Sequence, residues 1–320
     1  MLVGVEVYFR YYYKQSDGFN MTLVGKNWYW ECWNPTYRVT HPDFATHKFS
    51  FVVNDPTYQP EPFVQYRDRE WTAADVAGKT SVFVLGDSFA AGHGLCDVAE
   101  RFSDRLGAQL GNAAAVLNLA HNGWSTSDMI YYTERYPLKP NVVILSYFIN
   151  DIDGAIRVTP NTTLTVPGLH IPAESPLVDT LRGRSFAFNF FYWHVLYKNY
   201  HLEDAQTITR TYLDAYNDPA VWETHRAELL ALVAWAKQHN APLVVVTWPL
   251  LGDFSLSASA LGKVEALLEA EGVTIVRAAE MLKGDAPADL IISSIDAHPN
   301  AYANGKIADA LLEVVKPLVR

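Results

Sequence analysis

From residue 79 onward, short apolar runs alternate with stretches of helical spacing. The runs are Ser81–Leu85, Ala115–Leu119, Val142–Tyr147, Leu243–Thr247 and Val273–Val276. They have the length of strands buried on both faces, and are too short for helices. Helical stretches follow them at Val98–Leu110, Thr126–Tyr136, Val221–Gln238, Leu256–Ala270 and Asn300–Val319. Within Val221–Gln238, the apolar residues Val221, Trp222, Leu229, Leu230, Leu232, Val233 and Ala236 fall on one stripe. Such alternation predicts an α/β domain over residues 79–320, built on a mainly parallel sheet.

One segment breaks the alternation. Residues 152 to about 218 separate the third and fourth strands, far more chain than a βα connection needs. The run Ser185–Tyr197 inside it is rich in Phe, Tyr and Trp. A long helical insertion is expected here. It serves either as a lid or substrate wall, or as extra helices packed on the domain.

Residues 1–78 have a different texture. Aromatics such as Tyr11, Tyr12, Tyr13, Trp28, Tyr29, Trp30 and Trp33 are mixed with turn pairs such as Asn34-Pro35 and Asp55-Pro56. Alternating runs such as Phe49–Val53 predict a β-rich N-terminal appendage. Its aromatics either pack it on the main domain or line a carbohydrate surface. The apolar start, Met1–Arg10, reads as the trailing end of an anchor or as a first strand.

Charge and cysteine content narrow the partners. The formal net charge of −10 argues against nucleic acid and anionic membrane surfaces. Cys32 and Cys96 are either paired or free, and the sequence leaves both open. The chain has no metal-ligand spacing of Cys and His and no nucleotide-binding glycine motif, so no metal or organic cofactor is expected.

Four short stretches carry candidate chemistry. Gly86-Asp87-Ser88-Phe89 follows the first run, Asn118 to Gly123 the second, and Phe148-Ile149-Asn150-Asp151 the third. Asp296-Ala297-His298-Pro299-Asn300 precedes the last helix. Open α/β sheets bind ligands beyond the carboxyl ends of their strands, where the first three stretches fall. Taken alone, the first is also compatible with an ordinary turn whose serine caps a helix. Together the four supply the parts of acyl transfer. Ser88 is a nucleophile, His298 a base, and Asp296 a carboxylate to orient that base. Gly123 and Asn150 offer a backbone N–H and an amide for a developing oxyanion.

These blocks, in this order, resemble those of the SGNH hydrolases, the GDSL esterases and lipases. The resemblance covers about residues 80–319. It implies a three-layer α/β/α sandwich with a flavodoxin-like sheet. It also implies Ser88 as nucleophile, His298 as base, and an oxyanion hole of Ser88 N–H, Gly123 N–H and the Asn150 side chain. The chain departs from the family pattern twice. Phe148 holds the place of the glycine in Gly-x-Asn-Asp, and Asp296 stands two residues before His298, with Ile295 at the usual place. The α/β-hydrolase elbow G-x-S-x-G fits less well, because Ala90 replaces its second glycine.

Neighbouring residues have plainer expectations. Asp87 holds the serine turn by hydrogen bonds, His121 and Asn122 form a loop, and His93 either lines the pocket or, as the favoured reading, is structural or exposed. The glycosylation sequons at Asn20 and Asn161 are of a kind that arises often by chance. The expected function is a serine esterase acting on a carbohydrate O-acyl group or a lipid ester. The alternatives are an O-acyltransferase that passes the acyl group to a glycan hydroxyl, and an inactive glycan-binding or assembly module. From the resemblance, the chain is expected outside the cytoplasm, close to a membrane through an N-terminal anchor, with a cytoplasmic location as the alternative.

Overall fold

A computed structural model describes residues 2–9, 71–95, 97–167, 176–192, 195, 198–293 and 296–319. Five strands form one parallel sheet: β1 (Thr80–Gly86), β2 (Ala114–Asn118), β3 (Val142–Tyr147), β4 (Leu243–Thr247) and β5 (Thr274–Arg277). Their order is β2-β1-β3-β4-β5. This is the flavodoxin-like doubly wound order, which reverses direction between β1 and β3. The reversal opens a crevice beyond the carboxyl ends of these two strands.

Alternation of side chains along each strand makes two cores. Phe83 and Leu85 of β1, with Val143 and Leu145 of β3, face one side. There they meet Met129, Leu229, Leu232, Val264 and Leu268 from the helices Thr126–Arg135, Pro219–Gln238 and Phe254–Ala270. Val82 and Val84 of β1, with Val142 and Ile144 of β3, face the other side. There Phe102, Leu106, Ile307 and Leu311 cover them from the helices Phe102–Leu110 and Ala301–Val315. Every residue of β1, β3 and β4 is buried, as expected of strands covered on both faces. The result is a three-layer α/β/α sandwich.

Element edges move for local reasons. β5 begins at Thr274 because the Val273 N–H bonds back to Leu268 O and closes the preceding helix. The helix expected from Val98 starts as a 3₁₀ turn, Val98–Glu100, capped by Asp97; Arg101 is then extended, and the α-helix begins at Phe102.

The start of the chain is helical at Leu2–Val7, so the strand reading of this segment does not hold. A tertiary tie holds this segment to the insertion. The Glu6 carboxylate accepts hydrogen bonds from Ser185 Oγ (2.7 Å), Phe186 N (3.0 Å) and Ala187 N (3.1 Å). It thereby caps the open N–H groups of the insertion helix Phe186–Phe191. Phe9 also stacks on Phe190, with ring centroids 4.6 Å apart. The β-rich reading of residues 10–70, the aromatic cluster there, and both Cys32 and Cys96 lie outside the described residues.

The insertion is helical, with helices at Asp153–Val158, Pro176–Arg184, Phe186–Phe191 and Lys198–Ala215. Its end is anchored under the sheet. Tyr216, fully buried, donates to Ile149 O (3.0 Å) and is hydrogen-bonded to the Tyr147 hydroxyl. Tyr147 also meets His225 Nε2 at 2.8 Å, and His225 Nδ1 meets Glu228 at 3.0 Å. Burial lowers the His225 pKa, favouring the neutral ring in this network. Among the described residues, no helix is long and apolar enough to cross a membrane.

Candidate active site

The centre of the site is the turn that leaves β1. Asp87 caps the single helical turn Ser88–Ala91 by accepting Phe89 N–H at 2.9 Å. The turn folds back tightly on the strand end. A Cβ on Gly86 would lie 2.8 Å from Ala90 Cβ and 3.0 Å from Ser146 O, so only glycine allows this approach. Asn118, at the end of β2, fixes the far side of the turn. Its amide donates to Ala90 O (2.7 Å) and Ser103 Oγ (2.8 Å).

A small antiparallel hairpin, β6 (Ile291–Ser293) and β7 (Asp296–Pro299), brings the last block to this serine. Residues two apart on a strand share a face. Asp296 and His298 therefore stand side by side. His298 Nε2 lies 2.8 Å from Ser88 Oγ, and His298 Nδ1 lies 2.5 Å from Asp296 Oδ1. The same carboxylate oxygen accepts the His298 backbone N–H at 3.1 Å.

The electrostatics are those of a coupled acid–base pair. Burial pushes the Asp296 carboxyl up, but the charge and hydrogen bond of His298, with His93 behind them, outweigh it and hold its pKa at about 2. Burial pushes His298 down, but Asp296, by charge and by hydrogen bond, raises it above its ordinary 6.5. Asp87 adds to that rise from the other side of the serine.

The third block stands across the serine turn. Phe148, at φ −128° and ψ 162°, is ordinary extended backbone, so this position has no need of glycine. Its ring stacks on Phe89 at a centroid distance of 4.1 Å. Asn150 sits in the 3₁₀ turn Ile149–Ile152, and its Nδ2 donates to Asp87 Oδ2 at 2.8 Å. One hydrogen of the amide nitrogen is thus committed to Asp87. Burial raises the pKa of Asp87, and burial together with the Asp87 charge raises that of Asp151 well above the usual carboxylate range.

The second block extends the β1–β2 pairing past the strand end. Leu119 N–H donates to Val84 O (2.8 Å) and His121 N–H to Gly86 O (3.2 Å). The turn then closes through Trp124 N–H to His121 O at 3.2 Å, with Gly123 at a φ of 78°, which favours glycine. Asn122 Nδ2 meets His93 Nδ1 at 2.9 Å, tying this loop to the serine loop.

The structure therefore brings Ser88, Asp296 and His298 into one hydrogen-bonded chain. It joins Asn150 to that chain through Asp87 and carries the Gly123 turn alongside it. Asp87 makes the turn-holding bonds expected of it. His93 is more than a loop residue: its ring centroid lies 4.3 Å from that of His298, and its Nε2 lies 3.9 Å from Asp296 Oδ2. Sequence reasoning missed the bracing role of Asn118. The Asn in the second block was visible, but not its reach to Ala90. His93, Asp296 and His298 also gather three metal-ligand atoms within 4.8 Å of one another.

Comparisons with family models and with curated proteins find no match to the chain. Solved structures do match. One is TesA, at 16% identity and a TM-score of 0.45, covering 75% of this chain and 99% of its own. Another is Axe2, an acetylxylan esterase from Geobacillus stearothermophilus, at 18% identity and a TM-score of 0.44, covering 76% of this chain and 98% of its own. A third is a member of the lipolytic protein G-D-S-L family from Veillonella parvula DSM 2008, at 13% identity and a TM-score of 0.42, covering 74% of this chain and 98% of its own.

Proposed function

We propose that the chain is a serine ester hydrolase of the SGNH type. One observation carries the reading: the continuous chain from Ser88 Oγ through His298 to the Asp296 carboxylate, with links of 2.8 Å and 2.5 Å. A serine hydroxyl is a poor nucleophile until a base accepts its proton, and this chain supplies the base and its orienting carboxylate.

In the proposed reaction, Ser88 Oγ attacks the ester carbonyl carbon and its proton passes to His298 Nε2. The carbonyl oxygen becomes an oxyanion, held by the N–H groups of Ser88 and Gly123 and by the second hydrogen of Asn150 Nδ2. The bond to the alcohol oxygen breaks, and the alcohol leaves with the proton from His298. The acyl group remains on Ser88. Water then attacks the acyl-enzyme, giving its proton to His298. The bond to Ser88 Oγ breaks and the acid is released as the serine recovers its proton.

Hydrolysis of p-nitrophenyl esters from acetate to palmitate tests the reading. Wild type is expected to turn over at least one member. Ser88→Ala is expected to lose about 10⁴-fold or more in kcat while keeping its circular dichroism spectrum. The chain-length optimum separates acetyl esters from long-chain lipid esters. An acceptor such as a soluble glycan, added to the same assay, reports acyl transfer if it takes the acyl group faster than water does. A wild type inactive on every ester, and unreactive to a fluorophosphonate, would contradict the proposal.

A further inference from the structure

We propose that His93, Asp296 and His298 form a binding site for a zinc-type divalent ion, and that the ion switches the triad off when it binds. The switching half rests on the hydrolase reading above; the binding half does not.

Three observations support the site. The first is Asp296 Oδ2. This oxygen is buried and has no hydrogen-bond partner. Buried carboxylate oxygens are seldom left unsatisfied, so this one has an unmet valence for a cation or donor that the triad itself does not use.

The second is the position of His93. Its Nε2 lies 3.9 Å from that oxygen. Zinc bonds to imidazole nitrogen at roughly 2.0–2.1 Å and to carboxylate oxygen at roughly 2.0–2.2 Å, so a gap near the sum of the two admits an ion between them. A tetrahedral angle needs a gap of about 3.4 Å, which the His93 side chain reaches by closing about half an ångström. The third is the gathering itself: one ligand atom from each of His93, Asp296 and His298 lies within 4.8 Å of the others.

The donor set selects the ion. Two imidazoles and one carboxylate suit zinc, copper, nickel or cobalt, whereas magnesium and calcium take oxygen ligands. The outer contact also fits. A metal on His93 Nε2 requires the ring proton on Nδ1, next to the Asn122 amide. Turning that amide by half a rotation presents its oxygen as the acceptor, as metal-bound histidines require.

Loss of activity follows from proton bookkeeping on His298. If the ion takes Nδ1 of the neutral ring, the single ring proton is displaced from Nδ1 and moves to Nε2. The ring then has no lone pair facing Ser88. If the ion takes Nε2, the lone pair is used directly. In both cases His298 can no longer accept the serine proton.

The test is calorimetric titration of Zn²⁺ into the chelator-stripped full chain, for wild type, His93→Ala and His93→Gln. The same proteins are assayed for ester hydrolysis with and without Zn²⁺, each relative to its own zinc-free rate. Outer-shell partners of a bound metal are worth about 10–100-fold in affinity, so removing a ligand should cost at least about tenfold. Wild type is expected to bind one ion per chain through this site, with inhibition at the same midpoint and reversal by EDTA. Both variants are expected to bind at least about tenfold more weakly and to need correspondingly more zinc for inhibition. Co²⁺ in place of Zn²⁺ should give intense visible absorption bands in wild type that both variants lose.

Absence of zinc binding in wild type, or undiminished binding in both variants, would overturn the site. His93-dependent binding with undiminished hydrolysis would overturn the switching role alone. His93-dependent binding in a protein inactive on every ester would leave the site standing and remove the hydrolase reading on which inhibition rests.

Discussion

Asp296 stands two residues before His298 and meets its Nδ1 at 2.5 Å. The contact arises because both residues lie on one face of the extended strand β7, where side chains repeat every second position. A separation of two thus positions the carboxylate without any special loop. The residue before Asp296, where the family pattern puts its acid, is not needed for this.

A pH dependence follows from this pair. His298 works as a base only when neutral, and Asp296 raises its pKa above 6.5. Activity is expected to climb as pH rises through a midpoint above that value. In Asp296→Asn the raising charge is gone, so the midpoint should move down. kcat should also fall by roughly 10²–10⁴-fold, because the ring loses its orientation. The pH profiles of kcat/KM for the two proteins read both effects. A midpoint that stays in place in Asp296→Asn would detach Asp296 from His298.

Asn150 is held by Asp87 at 2.8 Å. The bond commits one amide hydrogen to Asp87; the other is the donor proposed for the oxyanion. Asn150→Ala is expected to lower kcat by about 10²–10³-fold with little change in KM, as for other oxyanion donors. A change confined to KM would assign Asn150 to ground-state binding instead.

Phe148 occupies a glycine position of the family pattern and stacks on Phe89. Phe148→Gly, which restores the pattern, is expected to harm this protein. It removes the ring that packs on the residue after Ser88 and adds backbone freedom at an extended position. A loss of about 1–3 kcal/mol in stability is expected, read by chemical denaturation. Unchanged stability would mean that the stack contributes nothing.

Tyr216 ends the insertion and braces Ile149, the neighbour of Asn150, by its hydroxyl at 3.0 Å. Tyr216→Phe leaves the buried Ile149 carbonyl without that donor and takes one partner from Tyr147. A cost of about 1–3 kcal/mol is expected, seen as a lower Tm. An unchanged Tm would indicate that water replaces the hydroxyl without loss.

The sheet was legible because burial on both faces writes strands as short apolar runs. β3 and β4 fall at the residues predicted for them, Val142–Tyr147 and Leu243–Thr247. Edges set by hydrogen bonds between non-neighbours were not legible, as at Val273, whose N–H turns back to Leu268. The start of the chain shows the same limit. Its apolar alternation suits a strand, but Glu6 is committed to the end of a helix some 180 positions away, a partner no local pattern encodes. At the site, the four blocks and their order were visible, since each follows a strand or precedes a helix. The cross-links between blocks were not. Asn118 to Ala90, Asn122 to His93, and Asn150 to Asp87 all join residues on different strand ends, which only the sheet order brings together.

The central claim is that Ser88 is the nucleophile activated by His298. Intact mass spectrometry after exposure to a fluorophosphonate probe tests it most directly, because labelling needs the activated serine but no knowledge of the substrate. Wild type is expected to gain one adduct, mapped to Ser88 by peptide analysis, and Ser88→Ala to gain none. His298→Ala is expected to label at a rate lower by orders of magnitude. Folded wild type that takes no label, or Ser88→Ala that labels as wild type does, would contradict the account.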